Sequence, residues 1–363
     1  MAASTSISVN VAPAAYEVII RPGLLRETAG VISSISASRK CCIVTDTNLE
    51  KHHLASLKAS LAAAGREVIA CIIPAGEEHK NLYTISRIYD NFLPAGIDRK
   101  TPLIALGGGV VGDMTGFAAA TILRGVPFIQ VPTTLLSMVD ASVGGKTGID
   151  HACGKNLIGA FHQPIAVLID PETLLTLPER ELIGGLAECI KHDVIRDATH
   201  FARLPAILAQ ARKRDVPTLA QLVAHNVTIK ARVVEADPLE KGERAHLNFG
   251  HTFAHAFELV SNYAYSHGEA VALGMVAASR MAHSLGILDA ASVDAISRTI
   301  AAASLPTGKL TLDAQACAKA MMFDKKVAGD RIRFVLPDRI GHVVIRNDVP
   351  AERITEVVQS LRE

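Results

Sequence analysis

Glu188 is followed one helical turn later by Lys191 and His192, and His251, His255 and His267 lie in later stretches with helical apolar spacing. A carboxylate with neutral imidazoles is a ligand set for a catalytic divalent ion. Spacing alone pairs His251 with His255, because positions i and i+4 share one helix face. The zinc-protease pattern, however, requires Glu directly after its first histidine, and Thr252 stands there. With 14 histidines in the chain, any one of them also fits a hydrogen-bonded structural role.

Two glycine clusters carry a different chemistry. The apolar run Leu103-Ile104-Ala105-Leu106 enters Gly107-Gly108-Gly109-Val110-Val111-Gly112, which fits G-x-G-x-x-G between a strand and a helix, where bare amides approach a pyrophosphate. A tight glycine turn without a ligand is the alternative. The acidic residue expected after the next strand is missing, since Phe128 to Val131 runs into Pro132-Thr133-Thr134, and an ordinary Rossmann dehydrogenase is disfavoured. Gly144-Gly145-Lys146-Thr147 ends like a P-loop, but Asp140 occupies the position that needs glycine, which argues against a kinase or ATPase. Lys146, Lys155 and Asn156 still place two cations and an amide beside flexible glycines, as a phosphorylated or carboxylated substrate requires; a solvated loop is the plain alternative.

The elements that must position these groups alternate along the first half. Cys41 to Thr45, Glu67 to Ile73, Leu103 to Leu106, Phe128 to Val131 and Ile165 to Ile169 read as strands, with helical patterns at Leu49 to Ala64 and Leu82 to Leu93. This is the rhythm of a parallel sheet covered by helices. From Pro178 to Met322 the apolar spacing is nearly all helical, so a boundary is placed near Leu177, giving domains 1–177 and 178–363. Arg331 to Leu336 and Val343 to Arg346 suggest a small hairpin, and Pro350 suits the first position of a last helix. Residues 1–15 match no motif and receive no role.

The 363 residues, 49% hydrophobic and 20% charged, can bury one very large core or two ordinary ones. With 37 Lys and Arg against 36 Asp and Glu, the net charge of +1 supplies no field for nucleic acid or an anionic membrane. The most apolar stretch, Thr101 to Leu123, is broken by Asp113 and five glycines, so no membrane span or signal peptide is expected. Six cysteines without a C-x-x-C pair read as reduced core residues of a cytoplasmic protein.

From about Thr45 onward the chain resembles the 3-dehydroquinate synthase family of the shikimate pathway, within the sugar-phosphate cyclases. The resemblance rests on GGGVVGD at Gly107 to Asp113, RGVPFIQVPTTLLSMVDASVGGK at Arg124 to Lys146, GKNLIGAF at Gly154 to Phe161, AECIK at Ala187 to Lys191, LNFGHTFAH at Leu247 to His255 and HGEAVALGM at His267 to Met275. It implies a Rossmann-like α/β nucleotide-binding domain followed by an all-α domain. It also implies conversion of 3-deoxy-D-arabino-heptulosonate 7-phosphate to 3-dehydroquinate and phosphate, through transient oxidation, elimination, reduction and intramolecular aldol closure. Deoxy-inosose or valiolone synthases and metal-dependent polyol dehydrogenases are the rival enzymes, and a non-catalytic nucleotide-binding protein is the rival class.

Carried over residue by residue, the resemblance puts a zinc or cobalt ion on Glu188, His251 and His267, leaving His255 to substrate or proton transfer. NAD contacts fall on Asp46, Asn48, Glu77, Lys80, Gly108, Gly109, Asp113, Thr133 and Thr134, with Lys146, Lys155, Thr173, Thr176 and Leu177 beside them. The substrate pocket implied contains Arg124, Asp140, Lys146, Lys155, Asn156, Lys191, Lys230, Arg244, Asn248, His255 and Lys325. A homodimer is implied as well. Ala254 departs from a position where the family often has glycine, and Tyr265-Ser266 from a more apolar pair.

Overall fold

The computed structural model describes residues 4–13, 15–328 and 332–362, with side chains throughout except at 323–328. The chain forms two compact units, Met1–Pro178 with Leu219–Leu239, and Glu179–Thr218 with Glu240–Glu363. A single cut near Leu177 misses the return of residues 219–239 to the first unit.

In the first unit, strands β1 (Thr5–Val9), β2 (Tyr16–Ile20), β3 (Lys40–Asp46), β4 (Glu67–Ile73), β5 (Leu103–Gly107) and β6 (Phe128–Pro132) precede a separate hairpin. That hairpin joins β7 (Lys146–His151) to β8 (Gly154–Phe161), and β9 (Ala166–Ile169) completes the main sheet. The sheet order is β1-β2-β9-β6-β5-β3-β4. All neighbours are parallel except β1 with β2. Helices α1 (Thr28–Ile35), α2 (Ala55–Ala63), α3 (Leu82–Phe92) and α4 (Gly109–Thr121) cover it.

Alternation along a strand sends successive side chains to opposite faces, and here both faces are buried. Cys42, Val44, Leu103 and Ala105 pack under Ile85, Ile88 and Met114, whereas Cys41, Ile43, Ile104 and Leu106 pack under Ile32, Leu57 and Leu61. Each valine, leucine, isoleucine or methionine among them contributes roughly 1.5–3 kcal/mol on burial. This double burial explains why the β-branched runs were legible as strands.

The β7–β8 hairpin was not. Lys146, Lys155 and Asn156 read as loop residues because glycine is poor in strands, yet Gly148 and Gly159 face each other across the ladder. A β-carbon on Gly159 would lie 2.2 Å from Thr147 O, so the glycines permit this close pairing. β1 was missed too, and within the unassigned residues 1–15, Thr5–Asn10 have a structural part: β1 extends the sheet, and Asn10 donates from its backbone and side-chain nitrogens to Glu235 Oε1, 2.6 and 2.8 Å away.

The second unit is built from α5 (Glu179–Arg196), α6 (Ala198–Phe201), α7 (Leu204–Arg212), α9 (His251–Val260), α10 (His267–Ser284), α11 (Ala290–Ala302), α12 (Ala314–Ala328) and α13 (Ala351–Ser360); α8 (Val216–Ala236) lies in the first unit from Leu219 on. A hairpin of β10 (Phe334–Arg339) and β11 (His342–Arg346) joins the helices. The expected strand therefore starts at Phe334; Arg331 lies outside the described residues. Pro350 caps α13 from outside rather than opening it.

Candidate active site

Three helices of the second unit converge on one point. Glu188 sits in α5 with its side chain fully buried, and His251 and His267 are the first residues of α9 and α10. Ser266 caps α10 in a capping box with Glu269, which gives the departure at Tyr265-Ser266 a local purpose. One ligand atom from each of Glu188, His251 and His267 lies within 4.8 Å of the others. The Nε2 atoms of His251 and His267 each stand 3.6 Å from Glu188 Oε1. Lys191 Nζ pairs with Glu188 Oε2, and both groups are buried.

The remaining ring nitrogens are also engaged. His251 Nδ1 donates to Phe249 O at 3.2 Å, and His267 Nδ1 donates to Glu258 Oε1 at 3.1 Å. Burial, helped by the Lys191 ammonium, pushes His251 down to about 3. Burial works the same way on His267, but the neighbouring carboxylates of Glu188 and Glu258 outweigh it and hold the ring up at about 10. One carboxylate and two imidazoles, with both Nε2 atoms turned inward, fit a divalent cation with open coordination positions. His255 is left out of this cluster: its exposed ring meets that of His251 edge-on, with centroids 5.7 Å apart. The chelate suggested by i, i+4 spacing is therefore not formed.

Arg244 and Asn248 share the 3-10 turn Glu243–Asn248. Arg196 clamps that turn, donating to Glu243 Oε1 and His246 Nδ1 at 2.8 Å each. Asn248 Nδ2 donates to Glu240 Oε1 at 3.0 Å. Lys325 lies on α12 with its side chain outside the described residues.

The first unit gathers the other candidates. Gly108 caps α4 directly after β5, and Thr133 N donates to Gly107 O at 3.0 Å. Thr133 Oγ1 is buried without a hydrogen-bond partner, an orphan acceptor and donor beside the glycine turn. A β-carbon on Gly108 would lie 3.2 Å from Thr134 Cγ2, so glycine lets the turn approach Thr134 closely. Asp46 ends β3 and accepts from Asn48 N and Leu49 N through Oδ1, at 2.8 and 3.0 Å. Thr173 Oγ1 donates to Asp170 O at 2.8 Å, Thr176 Oγ1 pairs with His53 Nε2 at 3.1 Å, and Leu177 is buried.

Lys80 ties the nucleotide-side candidates to the phosphate-side ones. Its nearly buried Nζ lies 2.6 Å from Asp113 Oδ2 and 2.5 Å from Asn156 Oδ1. Although burial opposes its charge, Asp113 and Glu77 hold the ammonium above its ordinary range. Lys155 Nζ stands 3.6 Å from Glu77 Oε1. Asn156 and Arg124 both adopt left-handed backbone, φ 56° and 63°. Lys146 is exposed at the start of β7. Lys230 of α8 reaches Asp140 Oδ1 at 2.6 Å and also bonds the Asp140 carbonyl, so this pair belongs to the first unit.

Glu258 and Glu240 were missed in the sequence. Glu258 had one signal, since it falls on α9 one turn beyond His255 and two beyond His251.

Comparisons with known proteins identify the family. The family pattern described as 3-dehydroquinate synthase N-terminal matches residues 70–184, and 3-dehydroquinate synthase C-terminal matches 185–327. A 3-dehydroquinate synthase of Synechococcus sp. is 46% identical over 364 residues, covering 99% of both chains. One from Nostoc punctiforme is 44% identical over 98% of this chain and 99% of its own. The solved structure of 2-epi-5-epi-valiolone synthase from Streptomyces hygroscopicus, with NAD+ and Zn2+ bound, superposes with a TM-score of 0.89 at 30% identity, over 97% of this chain and 98% of that one. With both halves of the family pattern matched and the similarity running nearly end to end, the chain belongs to the 3-dehydroquinate synthase family.

Proposed function

We propose that the protein is a carbon-oxygen lyase that converts 3-deoxy-D-arabino-heptulosonate 7-phosphate into 3-dehydroquinate and inorganic phosphate, the shikimate-pathway step toward aromatic amino acids. The convergence of Glu188, His251 and His267 carries this reading, supported by 46% identity to a synthase of that name. When bound, NAD supplies reversible hydride exchange, and zinc or cobalt on that triad supplies Lewis acidity.

The chain's own residues do the rest. Glu188 brings a negative charge into a buried site, and Lys191 keeps that charge compensated. Phe249 O holds the His251 ring with Nε2 inward. Lys146, Lys155 and Asn156 bind the phosphate, with Lys80 fixing the Asn156 amide: an ammonium only donates, so Oδ1 faces it and the Nδ2 donors remain for an anion. Arg124, Arg244 and Asn248 bind the carboxylate and hydroxyls, and Lys230 orients Asp140. His255, exposed one turn from His251, moves a proton at the substrate's edge. NAD, held at the Gly108–Gly109 turn, would supply the oxidation that acidifies the proton beside the departing phosphate and the reduction that follows, while ring opening and aldol closure would need no further reagent.

The nucleotide contacts lie in residues 1–177, on Asp46, Asn48, Glu77, Gly108, Gly109, Asp113, Thr133 and Thr134. The metal lies in 178–363. The working assembly is a homodimer, and six free cysteines suit a reducing cytoplasm. No helix among the described residues is long and apolar enough to cross a membrane.

Redox stoichiometry is the test. With substrate in large excess over NAD, phosphate rises to the substrate concentration while free NADH stays near zero; NADH accumulating in step with product would make the protein a polyol dehydrogenase instead. Product analysis tests the second reading, a valiolone-type cyclase, favoured by the superposition at TM-score 0.89.

A further inference from the structure

We propose that Glu258 is the positioning residue for the metal site, setting the orientation and tautomer of His267. The inference rests on the reading of Glu188, His251 and His267 as ligands. Glu258 is 5% exposed and sits in the last turn of α9, which ends at Val260. Both placements are unfavourable for a carboxylate, because burial strips its hydration and a helix C-terminus presents negative partial charge.

What Glu258 gains there is His267 Nδ1, 3.1 Å from its Oε1. A carboxylate only accepts, so Nδ1 keeps its proton, and Nε2, 3.6 Å from Glu188 Oε1, is the nitrogen left to take a cation. His251 is held in the same sense by a neutral acceptor, Phe249 O, at 3.2 Å. The two imidazoles are thus backed unequally, one by a charge and one by a carbonyl dipole. An anionic partner on the far nitrogen raises the electron-donating power of the ligating one. The geometry also explains how helix α9 serves two ligands: it contributes His251 from its first turn and, two turns later, steers His267 on α10.

The test measures zinc affinity by competition with a chromophoric chelator in the parent, E258Q and E258A, together with NAD affinity and melting temperature. E258A removes the acceptor, and E258Q keeps an acceptor of similar size without the charge. The expected result is a 10- to 100-fold loss of zinc affinity in E258A, a smaller loss in E258Q, and NAD affinity within twofold of the parent. The cobalt-substituted enzyme should show a shifted visible absorption band in both variants. If E258A does not fold, E258Q decides alone. Zinc affinity within twofold of the parent and an unshifted cobalt band overturn the proposal, as does a parallel loss of NAD affinity. Zinc retained by H251A, or no zinc bound by the parent, instead overturns the ligand assignment beneath it.

Discussion

Gly268 and Gly184 meet backbone to backbone: a β-carbon on Gly268 would lie 2.3 Å from Gly184 Cα. Gly184 is one turn before Glu188 on α5, and Gly268 directly follows His267 on α10. The missing side chains therefore set how closely two ligand-bearing helices approach. Gly274 does the same against the entry to α9, with a β-carbon there falling 2.1 Å from Gly250 O. G268A should cost about 1–3 kcal/mol, the usual range for overpacking, and should weaken zinc binding in the same variant. Thermal melting and chelator competition measure both, and a variant unchanged in both would show that the helix contact is slack.

The two histidines of α9 should separate cleanly. H251A removes a ring whose Nε2 faces Glu188, whereas H255A removes an exposed ring outside the cluster. Metal analysis after dialysis should find zinc lost from H251A and retained in H255A, with turnover lost in both. Equal zinc loss would restore the i, i+4 chelate.

Lys146 should serve the anionic substrate rather than the nucleotide. K146A is expected to weaken a phosphonate analogue of the substrate by at least about 1.5 kcal/mol, the low end for a charge-assisted contact. NAD affinity should barely move. Calorimetric titration of both ligands distinguishes this from a nucleotide role, in which NAD binding would fall in step.

Thiol chemistry should follow burial. Burial holds Cys42 up at about 12 and Cys317 up at about 11, whereas Cys153 is exposed at the β7–β8 turn. Iodoacetamide at pH 8.5 should modify Cys153 alone in the native protein and all six thiols in denaturant, counted by mass. A thiol whose folded value is raised favours the fold below its unfolded value, about 8.5, and that contribution disappears as pH climbs through the folded value. Stability should thus fall between pH 9 and 12, and C42A should flatten the decline.

Legibility in the sequence tracked the range of the interaction that decides each feature. Val44, Leu103 and Phe128 announced buried strands because double burial leaves an uninterrupted apolar run. The Gly107 to Gly109 turn was readable from local chemistry as well. The ligand set was not: His251 and His255 look paired by spacing, and only the family motifs selected His267, whose place depends on the crossing of α5 and α10. Glu258 shares a helix face with His251 and His255, but its partner His267 lies on another helix, so spacing alone did not single it out. The β7–β8 hairpin was hidden because its glycines serve backbone proximity across two strands, a property no single segment displays.

β1 has a practical consequence for handling the protein. It pairs with β2 over the whole register from Thr5↔Ile20 to Val9↔Tyr16, with Ser6 and Ser8 both bonded to Glu17. Proteolytic trimming past Val9 would bare the apolar strand Tyr16–Ile20 along one side, and such an edge templates intermolecular pairing. Clipped stocks should turn cloudy on concentration while intact ones stay clear, so a few polar residues ahead of the first family motif act as the molecule's protection against precipitation.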